Sequence, residues 1–264
     1  MEIIGYIASV FIGITLGLIG GGGSILTVPV LVYFLGIDPI LATTYSLFIV
    51  GVSSSVGAIL KIDHRQVDKR SMVIFGVPLI LTVFVFRKLV VPIIPQTIFQ
   101  YAQWEITKGN FILFLFALFM LLAAWSMLRP SDKKAETQAA NISPLFLSLY
   151  GILIGSLTGL LGAGGGFIII PALVFLGGLE MKEAVGTSLV VMSVSSLIGF
   201  SGDLTHTLMD WKILGVVTGI AVAGVFIGNY LTKFSSGKQL KTLFGIFTLT
   251  MSVFILIKEL FFLD

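Results

Sequence analysis

The sequence predicts an all-α polytopic membrane protein made of two inverted-topology repeats. About eight to ten membrane segments are expected, with short or re-entrant helices at two glycine-rich breaks. Three observations carry that expectation. The 264 residues are 56% hydrophobic and 11% charged, with a mean hydropathy of +1.08, against about 25% charged residues in an average soluble domain. The apolar runs are long and continuous, without the period-two alternation of a membrane β-barrel. The chain also repeats itself at a fixed offset of 142 residues, the distance from Pro29 to Pro171, around two runs of glycine.

Residues 3–19 form the first apolar segment, which ends at Gly20-Gly21-Gly22-Gly23. Met1-Glu2-Ile3-Ile4 lacks the basic stretch of a secretory signal, so this segment is read as retained. Each glycine costs a helix interior about 1 kcal/mol relative to alanine, so four together end one helix and start another. The piece that follows, residues 24–35, rises only about 18 Å as a helix, short of the ~30 Å hydrocarbon core. Asp38-Pro39 supplies an N-cap and first helical residue for a third segment, which reaches residue 60. A polar patch, residues 61–70, separates it from a fourth segment at 71–86.

Residues 87–110 carry Pro92, Pro95, Tyr101, Trp104 and Glu105 and read as an interfacial loop, with both aromatic rings suited to the headgroup level. The fifth segment is 111–128. The most polar stretch, 129–143, is the expected cytoplasmic linker between a first transmembrane repeat (1–128) and a second (144–264). The second half repeats the plan: residues 144–161, a glycine break at 162–166, a short piece at 167–176, then long segments at 181–200, 212–231 and 242–260.

At the fixed offset Gly36 meets Gly178, Ser46-Leu47 meets Ser188-Leu189, Ser53-Ser54 meets Ser195-Ser196, His64 meets His206 and Asp68 meets Asp210. Roughly a third of residues 17–70 are identical to their counterparts without a gap. Placing loop 61–70 in the cytoplasm also puts 129–143 and 233–241 there, and these three loops hold ten of the sixteen Lys and Arg residues. The counterpart of loop 61–70, around 203–212, then falls outside, which makes the repeat inverted and leaves both termini outside.

In lipid a broken helix is tolerated only where protein or a cavity meets its freed backbone groups. A break at equivalent places in both halves points to a transporter's binding site. Each short segment starts at its break, so its free amides and positive dipole end face the gap, an arrangement that suits an anion. The expected substrate-binding residues are Gly22, Gly23, Ser24, Tyr45 and Ser46 in the first half, with Gly164, Gly165, Gly166, Thr187 and Ser188 in the second.

Ser and Thr in membrane helices often bond only to their own backbone, and Ser53-Ser54 and Ser195-Ser196 read first as helix packing. Single glycines such as Gly13 and Gly155 also read as packing positions, and Gly13→Ala is expected to be mild. His64 and His206 lie in equivalent loops, where gating or proton coupling competes with an ordinary loop hydrogen bond. No Lys, Arg, Asp or Glu is expected near the middle of an apolar segment, so hydroxyls and amides, not a buried charge, are the anion's expected partners. With no cysteine and two histidines, no metal site, catalytic residue or cofactor is expected, and no nucleic-acid partner.

At its glycine-rich elements the chain resembles the sulfite exporter TauE/SafE family of membrane transporters. The matching residues are Gly20 to Ser24 followed by Pro29, Gly162 to Gly166 followed by Pro171, and the run Gly186-Thr187-Ser188-Leu189. The resemblance covers nearly the whole chain and implies a multi-pass protein of the bacterial cytoplasmic membrane that moves sulfite or a small organosulfur anion outward. One departure is Thr44-Tyr45-Ser46-Leu47, where the family tends to carry Gly-Thr-Ser. The leading expectation is a secondary transporter for a small anion in the lipid bilayer. An anion channel on the same scaffold, or a membrane-embedded enzyme, are the alternatives.

Overall fold

The computed structural model describes residues 2–61, 67–101, 104–128, 143–204, 209–232 and 237–261. His64, His206 and linker residues 129–142 lie outside the described residues. Among the described residues ten helices follow in order: α1 (Glu2–Ile19), α2 (Gly23–Phe34), α3 (Pro39–Lys61), α4 (Lys69–Ile93), α5 (Lys108–Leu128), α6 (Pro144–Leu161), α7 (Gly166–Phe175), α8 (Met181–Asp203), α9 (Trp211–Leu231) and α10 (Gly237–Phe261). A short hairpin, β1 (Thr97–Tyr101) and β2 (Trp104–Thr107), pairs antiparallel between α4 and α5. Six of the described helices are long and apolar enough to cross a membrane, namely α3, α4, α5, α6, α8 and α9. The protein is an all-α polytopic membrane protein.

The N-cap expected at Asp38 is observed, and three more acidic caps accompany it. The Asp38 carboxylate accepts from the amides of Ile40 and Leu41 at the start of α3, and Asp68 and Asp210 cap α4 and α9 in the same way. Glu180 closes a capping box with Glu183 at the start of α8.

The expected interfacial loop at 87–110 is corrected by the structure. Helix α4 runs on through a π-helical turn, Phe86–Val90, and ends only at Ile93. Arg87, the residue that suggested a helix end, is buried there at 1% exposure because a carboxylate and a hydroxyl meet it. A charged residue can sit in a membrane helix when it faces the bundle interior and is paired.

The helices pack most extensively in four pairs, each drawing one member from either half: α1 with α9, α4 with α6, α3 with α8 and α5 with α10. The sequence offset carries α1 onto α6 and α4 onto α9, so the first two pairs are reciprocal. Small residues make both contacts. In α6, Gly151, Gly155 and Gly159 lie along α4, with the carbonyl oxygens of Phe75, Leu79 and Val83 facing the first, second and third. Gly13 and Gly17 of α1 face Ala221 and Val225 of α9, while Gly224 and Gly228 face Val10 and Ile14. Lipid tails are as apolar as leucine, so close backbone packing rather than burial holds such helices together.

This confirms Gly13 as a packing position but overturns the expectation of a mild alanine substitution. A Cβ there would come within 3.0 Å of backbone atoms of Ala221 and Gly224, which cannot swing aside. The outward faces stay apolar, as with Ile4, Ile7 and Phe11 on α1 and Leu145, Phe146 and Leu149 on α6. A bilayer covers such faces.

Candidate functional site

The two glycine breaks meet. A Cβ on Gly166 would collide with the carbonyl of Gly21, and a Cβ on Gly21 with Gly166 Cα. Met192 of α8 reaches over both glycines with its sulfur. The second break turns on three left-handed residues, Gly162 (φ +67°), Gly164 (φ +67°) and Gly165 (φ +70°), a conformation that L side chains adopt at a cost. The first break needs only Gly20 (φ +72°) and then tightens into a 3-10 turn, Gly20–Leu26. Gly23 packs against the backbone of Thr15 and Leu16 in the preceding helix. No side chain caps the first turn that follows either break.

Ser24, Ser188, Thr158 and Ser196 place hydroxyls at the two breaks, and some buried hydroxyls of these helices are hydrogen-bonded while others are not. Ser24 donates to the Gly21 carbonyl, and Ser188 donates to Val185 while lying beside Gly21. Ser46, the counterpart of Ser188, is buried without a hydrogen-bond partner. So are Thr27, Ser53 and Ser54, together with Thr158 and Ser196, which lie beside Gly165 and Gly164 respectively. Thr158 and Ser196 were absent from the sequence-based set. Ser196 stood in a matching Ser-Ser pair but read as packing, and its place at the break depends on how α8 rotates.

Tyr45 and Thr187, both in the expected substrate-binding set, each accept a backbone amide from the other half. The Thr187 hydroxyl accepts from the Asp68 amide at 3.0 Å, and the Tyr45 hydroxyl accepts from the Asp210 amide at 2.6 Å. Tyr45 is the counterpart of Thr187, and Asp68 of Asp210, so each half ties its α3 or α8 helix to the N-cap of the other half's next helix. The phenol that departs from the family pattern is thus spent on a longer reach to an amide.

The expectation of no buried charge fails at the second break. Arg87 Nη1 donates to Asp203 Oδ2 at 3.0 Å and to the Thr43 hydroxyl at 3.1 Å, and Thr44 donates to the same carboxylate oxygen at 2.8 Å. Arg87 Nη2 lies against Gly162, and the arginine stem passes Gly199 and Gly202. Lys108 is also buried, donates to the Val91 carbonyl, and feels the charges of both Arg87 and Asp203.

A sequence model of the family described as "Sulfite exporter TauE/SafE" matches residues 6–255. The chain belongs to the sulfite exporter TauE/SafE family. A probable membrane transporter protein of Xylella fastidiosa (strain 9a5c) is 31% identical over 253 residues, covering 93% of this chain and 91% of the relative. A probable membrane transporter protein of Haemophilus influenzae is 26% identical over 234 residues, covering 84% and 82%. One from Methanocaldococcus jannaschii is 32% identical over 129 residues, covering 46% of this chain and 47% of the relative. No solved structure matches the chain. Family and relatives alike make this TauE/SafE member a multi-pass membrane transporter.

Proposed function

We propose that this TauE/SafE member is a secondary transporter that exports a small anion, sulfite or a small organosulfur anion, across the cytoplasmic membrane. The observation that carries the reading is the meeting of the two glycine breaks, Gly21 against Gly166, with the buried hydroxyls of Ser24, Ser188, Thr158 and Ser196 beside them. Helix N-termini without side-chain caps favour anions, because their amides and dipole both present positive charge. The contact is closed here: Ser24, Ser46, Thr187 and Ser188 are fully buried. Transport then requires the two breaks to part, first toward one face and then toward the other, as the halves rock against each other.

The test is counterflow in proteoliposomes with sulfite, sulfate, thiosulfate and small sulfonates. A carrier shows exchange-stimulated uptake, and uptake indifferent to the internal anion would assign a channel instead. No flux of any of these anions would sink the anion reading.

Two narrower expectations accompany it. Ser46→Ala and Ser188→Ala each weaken sulfite binding by about 0.5–3 kcal/mol, the worth of a hydrogen bond to a charged ligand. Ser46→Ala should leave the fold no less stable, since its hydroxyl is buried without a partner. Normal binding by both variants in titration calorimetry would make these serines packing residues.

The reciprocal bonds of Tyr45 and Thr187, with the reciprocal helix pairs, support a pseudo-two-fold repeat, and the lysine and arginine distribution supports its being inverted with both termini outside. The chain has no cysteine, so single cysteines at Gln66, Ser131 and Thr207 report sidedness cleanly. Impermeant thiol reagents applied outside should label position 207 and spare 66 and 131. Labelling of 66 and 207 from one face would overturn the inversion.

A further inference from the structure

We infer that Arg87 is the charged partner of the transported anion at the second break, and that Asp203 is the internal carboxylate holding its place between turnovers. The inference rests on the anion-transport reading above and names the residue that makes the site selective for negative charge.

Several features combine. The guanidinium is 1% exposed, yet its Nε and Nη2 have no hydrogen-bond partner, while Nη1 alone serves Asp203 and Thr43. An arginine kept only for architecture would spend its planar fork on both carboxylate oxygens, the bidentate geometry that makes such pairs strong. Here a single oxygen, Asp203 Oδ2, takes both the Arg87 and Thr44 donors. The unpaired Nη2 lies against Gly162, the first left-handed glycine of the break that reaches Gly21 through Gly166.

The charge count also favours an anion. Arg87 and Lys108 contribute two positive charges against the one negative charge of Asp203, all three buried. Lys108 spends its ammonium on the Val91 carbonyl, which neutralises nothing. A surplus positive charge inside a membrane protein is expensive unless something negative compensates it. An arriving oxyanion supplies that charge and takes up the free Nε–H and Nη2–H groups.

The first half has no equivalent: the counterparts of Arg87 and Asp203 are Asn229 and Lys61. The charged station is therefore built on one side of the pseudo-repeat only.

The test measures sulfite binding by titration calorimetry on the purified full chain, with sulfate, thiosulfate and methanesulfonate as parallel probes. The double variant R87Q/D203N is charge-neutral as a pair and keeps polar groups in place. It should remain monodisperse and lose about tenfold to a hundredfold in sulfite affinity, the equivalent of a lost charge-assisted hydrogen bond. Asp203→Asn removes the internal competitor and should tighten sulfite binding, whereas a pair that merely holds the fold would weaken it in both variants.

Wild-type protein supplies the arm that depends on no variant. Sulfite should protect Arg87 from phenylglyoxal, read by peptide mass spectrometry. Wild-type affinity in R87Q/D203N, Asp203→Asn binding no tighter than wild type, or Arg87 modification unaffected by sulfite would each overturn the inference. Arg87 that never reacts would do so too, because a transport cycle must open that slot. If wild-type protein binds none of the four anions, the anion reading itself has failed, which is a distinguishable result.

Discussion

Gly166→Ala is expected to abolish transport. The new methyl would meet the Gly21 carbonyl and the Met192 sulfur inside van der Waals contact, and a backbone carbonyl held in a 3-10 turn has no rotamer to escape into. The two breaks must separate, which takes the amides on either side out of register with one another. Overpacking of this kind costs about 1–3 kcal/mol in a well-packed interior, enough to displace the breaks without unfolding ten helices. The check is sulfite counterflow on protein whose monodispersity and thermal midpoint have been measured first. Folded protein with wild-type flux would show that the breaks need not touch, and the proposed site would be wrong.

Gly13→Ala is expected to have the largest effect on assembly. Its Cβ would enter the backbone of α9 at Ala221, and the reciprocal stripe predicts the same for Gly155→Ala against Leu79 of α4. Each should lower stability by about 1–3 kcal/mol or more, because the contact depends on backbones approaching closely. Gly215 and Gly219, also in α9, have nothing within 4 Å of an added Cβ. Alanine at either should be neutral or stabilising by up to about 1 kcal/mol through helix propensity. Thermal melts of Gly13→Ala and Gly219→Ala in the same detergent test the contrast, and equal midpoints would refute the close-packing account.

Much of the architecture was legible because it is written locally. Continuous apolar runs mark the membrane helices, and Asp38-Pro39 marks a helix start. A glycine cluster stops a helix whatever surrounds it. The meeting of the two breaks was legible only because the chain states the same motif twice.

Arg87 was not legible, for a physical reason. Next to Lys88 and before Pro92 and Pro95 it carries every local mark of a helix end, and what keeps it inside is Asp203, 116 residues away. One faint signal existed. At the repeat offset Arg87 faces Asn229 and Asp203 faces Lys61, a concerted exchange of charge between halves that otherwise conserve small and polar residues. The unpaired hydroxyl of Thr158 had no signal at all, since only the path of the break brings Gly165 against it.

Gly21 and Gly166 meet through main chain, with the Met192 sulfur lying over both. A contact of that kind has no dial: there is no smaller residue to retreat to, and the smallest enlargement collides. Divergence toward a new cargo on this scaffold is therefore channelled into the side chains around it, where Ser188, Ser196 and Met192 can change one atom at a time while the junction itself stays fixed. The same property makes the junction a poor place for gradual loss, so drift there should register as inactivation rather than as altered preference.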